Sequence, residues 1–175
     1  MTQKNRVRYM LPTSKLELQS FANIPSLKIP ESKIVHKSPI LHPLARFVTE
    51  EAAALLFNIS IEEIYKITCL RYVVHVHGKG ISRFVSYADF PPILNVTLPT
   101  PLDFYFWHKR WKKKPAQEFW KKFYIHQFEK AFSAAELLDW TNLVAKVKSL
   151  FTNSVLETLR EVAAKQQIFL KFSLV

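Results

Sequence analysis

The chain is poor in glycine and cysteine, and both shortages exclude classes of functional site. Gly78 and Gly80 are the only glycines, so a glycine-rich phosphate loop of the P-loop or dinucleotide-binding type is excluded. Cys69 is the only cysteine, which excludes a disulfide within the chain and a zinc cluster of cysteines. A single cysteine also favours a reducing compartment.

Catalytic motifs and long apolar runs are missing as well. The sequence contains no G-x-S-x-G, no H-E-x-x-H and no EF-hand pattern. No apolar run approaches the roughly 20 residues that a membrane span requires, and the basic first residues lack the apolar stretch of a secretory signal. We therefore expect a cytoplasmic protein that is not an enzyme and that uses no cofactor or metal.

Acidic residues are fewer than basic ones, and the excess of positive charge is unevenly distributed along the chain. Lys and Arg number 25 against 14 Asp and Glu, for a net charge of +11, which favours nucleic acid or another anionic partner. Residues 1–47 hold eight basic and two acidic residues, and residues 95–130 hold eight and three. Residues 48–94 hold four and five. If this central segment binds DNA, its flanks must supply most of the attraction to phosphates.

Residues 1–47 form a basic, proline-containing arm in this prediction. Five prolines recur up to Pro43, and no long periodic pattern lies between them. Such an arm can follow phosphates or enter a minor groove, or it can be a solvated tail.

The pattern after Val48 predicts two short helices joined by a tight turn. Thr49 is an N-cap, and the small residues Ala52–Ala54 let a second helix approach closely. Asn58 tolerates the positive φ that the turn needs. Ser60 and Glu63 then form a capping box at the start of the second helix.

A hairpin follows this helix pair. Residues 73–77 are valines and histidines that read as a first strand, the Gly78-Lys79-Gly80 turn comes next, and residues 81–85 read as a second strand.

The segment from Val48 to Phe90 resembles the excisionase-like and mercury-resistance-regulator-like DNA-binding domains. The matching residues are Thr49 to Ala54, Asn58-Ile59-Ser60, Glu62 to Lys66, Gly78 to Gly80, and Asp89-Phe90. Asn58 replaces the usual glycine of the turn, the glycine between second helix and wing is missing, and the wing is about one residue longer. The resemblance covers roughly a quarter of the chain.

This resemblance implies a winged helix-turn-helix at 48–94 that binds double-stranded DNA. A helix from Ser60 to Thr68 would enter the major groove. Tyr65 and Lys66 would reach bases or phosphates, Ser60 would donate to a phosphate, and Lys79 and Arg83 on the wing would contact backbone or minor groove. The implied function is sequence-specific DNA binding, in transcriptional regulation or as a DNA-architectural factor of a mobile element.

A basic and aromatic segment follows at Trp107 to Lys114. Lys109, Arg110, Lys112 and Lys113 can neutralise phosphates, while the tryptophans can stack on bases or lie at a membrane surface. The same pattern is typical of a helix with buried rings and solvated lysines. The alternative function is therefore a non-enzymatic module that docks on an acidic protein or membrane surface through this segment.

His75 and His77 lie two apart on a predicted strand and share one face, but no third ligand has matching spacing. Cys69 lies among apolar residues and is expected to be a buried structural thiol. We predict no metal site and no nucleophile here.

The region 95–175 is predicted to be largely helical, with apolar seams that either meet in a homodimer or pack within one chain. An aromatic face recurs from Trp120 to Phe132 at every fourth residue. One seam comprises Leu137, Trp140, Val144, Val147 and Phe151, and another runs from Val155 to Phe169. The predicted fold class is mainly α, with a small winged helix-turn-helix, its β-hairpin wing and a C-terminal helical region.

Overall fold

Four strands form one sheet in the order β1-β2-β3-β4. The computed structural model describes residues 31–173, so the predicted arm lies outside the described residues up to residue 30. β3 pairs antiparallel with β2 and β4, whereas β1 pairs parallel with β2, with Ile34 opposite Ile67. The strands are β1 (Ile34–His36), β2 (Ile64–Cys69), β3 (Val74–Gly78) and β4 (Ile81–Val85).

Helix α1 (Glu50–Phe57) lies in the crossover between β1 and β2. Its caps are those predicted: the Thr49 hydroxyl accepts from the Ala52 N–H, and Asn58 ends the helix with φ of 55°. The buried residues Ala52–Ala54 let the helix contact β2 closely.

The predicted second helix from Ser60 to Thr68 is wrong. The capping box is present, since the Glu63 carboxylate accepts from the Ser60 N–H at 3.1 Å, but it closes only a 3-10 turn at Ile61–Glu63. The chain then continues as β2. Its β-branched and aromatic residues favour a strand, and β1 and β3 offer ladder partners on both sides, so tertiary pairing decides against the helix.

The predicted hairpin is confirmed as β3 and β4. Gly80 has φ of 70° in the turn, a conformation that costs a residue with a side chain more than it costs glycine. Gly78 is required for a different reason, because a Cβ there would come within 2.7 Å of the Glu63 carbonyl oxygen.

Four more helices complete the described residues, and the predicted helical C-terminal region is confirmed. They are α2 (Pro101–Trp111), α3 (Glu118–Lys130), α4 (Ala134–Lys146) and α5 (Asn153–Phe172). In the described residues, five helices with a four-stranded sheet make a mixed α/β fold, which agrees with the predicted helices plus hairpin but is less purely helical than the mainly α class predicted. No helix of residues 31–173 has the length and apolar character needed to cross a membrane.

The core joins the sheet to the helices through aromatic side chains. Trp120 lies at its centre, with its ring 5.4 Å from that of Trp107 and 4.8 Å from that of Trp111, both edge to face. The first predicted seam is also core, since Leu137, Trp140, Val144 and Val147 are buried within the chain. The structure therefore does not support a dimer interface at this seam, because α4 packs against α3 and α5 within the chain.

A polar cluster links α1 to α3. The Glu51 carboxylate accepts from Lys130 Nζ at 2.7 Å and from Gln127 Nε2 at 3.1 Å, and His126 Nε2 lies 3.2 Å away. Burial raises the pKa of Glu51, but the hydrogen bonds from Lys130 and Gln127 and the nearby positive charges outweigh it, so the pKa is lowered. The ionised carboxylate therefore favours the folded state.

Glu51→Gln is expected to lower the free energy of unfolding by about 1 kcal/mol at pH 7. Because the folded-state pKa is depressed, this contribution is present above the ordinary glutamate pKa and is lost as the pH falls through the folded value. Urea unfolding at pH 7 and pH 3.5 measures it, with Glu129→Gln on the exposed side of α3 as control. A loss equal at both pH values would show that the carboxylate charge does not matter.

Candidate nucleic-acid interface

The sheet has one buried and one exposed face, as strand alternation requires. Ile67, Cys69, Val74 and Val76 point into the core and are at most 1% exposed. The side chains on the other face, here called the outer face, are Val35, Lys66, Thr68, His75, His77, Ser82 and Phe84, together with Tyr65, the bulge residue whose ring contacts that of His77. Register places Lys66 opposite His77, and His75 opposite Phe84.

Accessible rings lie at two positions of the outer face. Phe84 is 66% exposed, and its ring centroid is 4.7 Å from that of His75. A hydrogen bond of 2.9 Å between His75 Nε2 and the Ser82 hydroxyl holds the His75 ring in place. Tyr65 is the extra residue where the β2–β3 register shifts, and its ring meets that of His77 edge-on at 5.4 Å. Exposed rings on a sheet surface are suited to stacking on bases.

The sheet is more basic than the net charge of its region suggested. Residues 64–85 contain four Lys or Arg and no Asp or Glu. Glu51 faces α3, Glu50 accepts from the Lys33 N–H at 2.7 Å, and Asp89 is buried after β4. The acidic residues of the region are thus directed away from the outer face, apart from Glu62 and Glu63 at the start of β2.

The structure separates the residues that the resemblance had grouped. Tyr65 and Lys66 are both exposed on the outer face, although on a strand rather than a helix. Lys79 lies at the hairpin turn, where its Nζ is 2.8 Å from the Glu63 carboxylate. Arg83 is exposed on β4, but it is paired with the buried Val76, so its side chain leaves the sheet from the face opposite to the outer face. Ser60 is exposed at the 3-10 turn and does not belong to the outer face.

The predicted basic residues of 109–113 lie at the end of α2. Arg110 is 3.8 Å from the Asp89 carboxylate, and Lys109 Nζ lies 5.8 Å from the Tyr105 ring centroid. Lys112 and Lys113 both have positive φ, 51° and 62°, which is uncommon for lysine and costs conformational energy. The turn projects both exposed side chains away from the core, where the tryptophans of the same segment are buried.

One short element contacts both α2 and the β2–β3 loop. The 3-10 turn Tyr87–Asp89 follows β4 and contacts α2. The Tyr87 hydroxyl donates to the Leu70 carbonyl, which starts the β2–β3 loop. In that loop Tyr72 is 73% exposed, with the Arg71 guanidinium 5.1 Å from its ring centroid. The β2–β3 loop therefore adds an exposed ring and an exposed cation after the end of β2.

Sequence reasoning missed Phe84 and Tyr72. The signal for Phe84 was its position on the face opposite to Ile81, Arg83 and Val85, but that face was interpreted as part of a wing rather than as a continuous sheet. Tyr72 had no signal, because a loop residue carries no periodicity.

Two chemical alternatives have little structural support. Among residues 31–173, no group of three or more His, Cys, Asp or Glu side chains has the geometry to hold a metal ion. Cys69 is buried, and burial raises the pKa of its thiol. A raised pKa leaves little thiolate at neutral pH, so the residue is poorly suited to act as a nucleophile.

No protein-family model matches the chain, and neither the curated proteins nor the solved structures compared with it include a match. The interpretation of the outer face rests on its own geometry.

Proposed function

We propose that the protein binds nucleic acid through the outer face of its sheet, and that single strands are its preferred form. The observation that carries the proposal is the pair of exposed rings, Phe84 and Tyr65, beside Lys66 on a sheet segment without acidic residues. A role in regulating or organising DNA, as the sequence suggested, would use this surface in place of a recognition helix.

The rings supply the argument for single strands. A base stacks on a protein ring only when it has left its neighbours in a duplex, so rings at the centre of a surface favour unpaired bases. Phe84 lies on β4 and Tyr65 on β2, on either side of the β3 histidines. This spacing across the sheet suits two bases of one strand that crosses the strands of the sheet.

The cations supply the argument for a phosphate backbone. Lys66 is exposed on the outer face and Arg71 is exposed in the loop that follows β2, while Lys112 and Lys113 are exposed after α2. Lysine and arginine contacts to phosphates are independent of sequence and release counterions. We therefore expect binding that weakens as salt increases.

Phe84→Ala is expected to weaken binding of a fluorescent single-stranded oligonucleotide of mixed sequence by about tenfold, because one stacked base contributes about 1–3 kcal/mol. Tyr65→Ala should have a similar effect. Phe132→Ala is the matched control, because Phe132 is 82% exposed but lies between α3 and α4. Fluorescence anisotropy against the oligonucleotide and the corresponding duplex measures both affinity and preference.

The outcome also separates stacking from charge. Lys66→Ala should reduce the slope of log affinity against log salt by about 0.7 for a single strand, whereas Phe84→Ala should leave that slope unchanged. Tighter binding of the duplex, with no effect of Phe84→Ala or Tyr65→Ala, would contradict the proposal and favour a phosphate-directed duplex binder.

A further inference from the structure

A groove lies between α4 and α5. Its volume is about 520 Å³, and its floor is apolar, with Phe128, Leu137 and Leu159 among the lining side chains. The stretch of α5 from Leu156 to Gln167 borders it, so it is about 17 Å long at 1.5 Å per residue. This length matches three turns of a helix.

The spacing of the lining residues is that of a helix-packing seam. On α4 the groove is lined by Ala134, Leu138, Thr141 and Ala145, and on α5 by Leu156, Arg160, Ala163 and Gln167. Both sets follow a 4-3-4 spacing, which keeps side chains along one stripe of a helix that faces another helix. Leu137 and Val144 of the buried seam also line the groove, so these stripes border a surface that is continuous with the core.

Small residues on both sides make this surface suitable for another backbone. Ala134 and Ala145 are on α4, and Ala163 and Ala164 are on α5, so a guest helix can approach both helices closely. Leu138 is 59% exposed beside the groove and would be covered by such a guest. A small apolar ligand is less well matched, because such ligands prefer sites that bury most of their surface, and this groove is open along one side.

The charge of the lining residues indicates which kind of helix would bind in the groove. Lys148 and Arg160 line the groove, and no Asp or Glu does. A second copy of this chain carries +11, and residues 1–30 hold five basic residues and one acidic residue, so both would bring like charge. An acidic guest has the complementary charge.

We propose that this groove binds a short amphipathic helix of a partner protein, with an apolar stripe of about three turns and acidic residues beside it. Such a helix places its i, i+3, i+4 and i+7 side chains into an apolar groove. The site is independent of the outer face, so nucleic-acid binding and partner binding are separate activities of one chain.

The probe is a fluorescent 18-residue helical peptide with leucine at heptad positions and glutamate elsewhere, titrated against the full chain by anisotropy. A peptide with lysine in place of every glutamate, and one with a central proline, serve as peptide controls. We expect saturable binding of the glutamate peptide alone. Arg160→Glu should weaken it about fivefold, as expected for one exposed ion pair lost. Lys165→Glu makes the same charge change on an exposed residue of α5 outside the groove. This control should change the affinity for the glutamate peptide less than twofold.

Three results would overturn the proposal. They are no saturable binding of the glutamate peptide, equal binding of the lysine or proline peptide, and equal effects of Arg160→Glu and Lys165→Glu. Light scattering that shows a dimer dissociated by Ala145→Glu would assign the groove to a second copy instead. Phe84→Ala should leave peptide binding unchanged, so failure of the nucleic-acid proposal and failure of this one are distinguishable.

Discussion

Replacing Arg46 with alanine is expected to lower the free energy of unfolding by about 3–5 kcal/mol. The Asp103 side chain is completely buried, and Arg46 contacts both of its carboxylate oxygens. The same guanidinium donates to the carbonyl of Thr97 at 3.0 Å and to that of Leu98 at 3.2 Å. Without Arg46, an uncompensated carboxylate would remain buried where α2 begins, and two carbonyls of the preceding loop would lose a donor.

Urea unfolding followed by circular dichroism measures this loss. Arg71→Ala is the control, because Arg71 is exposed in a loop and should change stability by less than about 0.5 kcal/mol. Arg46→Lys should recover only part of the loss, since an ammonium group cannot bind both oxygens in the planar arrangement of a guanidinium. Equal stability of Arg46→Ala and Arg71→Ala would show that Asp103 finds another partner.

Trp120→Ala is expected to lower the free energy of unfolding by a similar amount, about 3–5 kcal/mol. The side chain is fully buried, it contacts the rings of Trp107 and Trp111, and its Nε1 donates to the Asp89 carbonyl at 3.0 Å. Truncation would leave a large cavity at the junction of α2, α3 and the turn after β4. It would also leave a buried carbonyl without a donor.

Trp120→Phe separates these two causes. Phenylalanine fills most of the volume but cannot donate, so its cost should be smaller, about 1–3 kcal/mol. Phe172→Ala, at a site that is 76% exposed, is the reference for loss of an aromatic side chain that does not open a cavity. A loss for Trp120→Phe as large as for Trp120→Ala would mean that the hydrogen bond, rather than the cavity, accounts for the effect.

Local signals in the sequence were sufficient for several elements. The Thr49 cap and the left-handed Asn58 are set by nearest neighbours along the chain, so they can be predicted without knowledge of the fold. The hairpin could be predicted for the same reason, since its two glycines lie within the turn. The helical periodicity after Glu118 reflects burial of one face, which also survives in the sequence.

The errors arose where distant residues decide the structure. The Ser60–Glu63 box is as compatible with a 3-10 turn as with a helix, and Ile64 and Ile67 are three apart, which fits a helix. Pairing with β1 and β3 makes this segment a strand, and the extra residue at Tyr65 breaks the alternation that would have revealed it. β1 has only three residues and lay within the predicted arm. Tyr65 and Lys66 are exposed, but they lie on a strand and not on the predicted recognition helix.

The parallel pairing of β1 has a consequence for the order in which the sheet forms and opens. Ile34 meets Ile67 only after about thirty intervening residues have been ordered, whereas β3 and β4 close through a two-residue turn. Closing the longer loop costs more chain entropy, and the three-residue ladder between β1 and β2 forms only a few hydrogen bonds to offset this cost. β1 is thus the last strand to join and the first to detach in local unfolding. When it detaches, the β2–β3–β4 meander can remain folded, with the edge of β2 open to another strand.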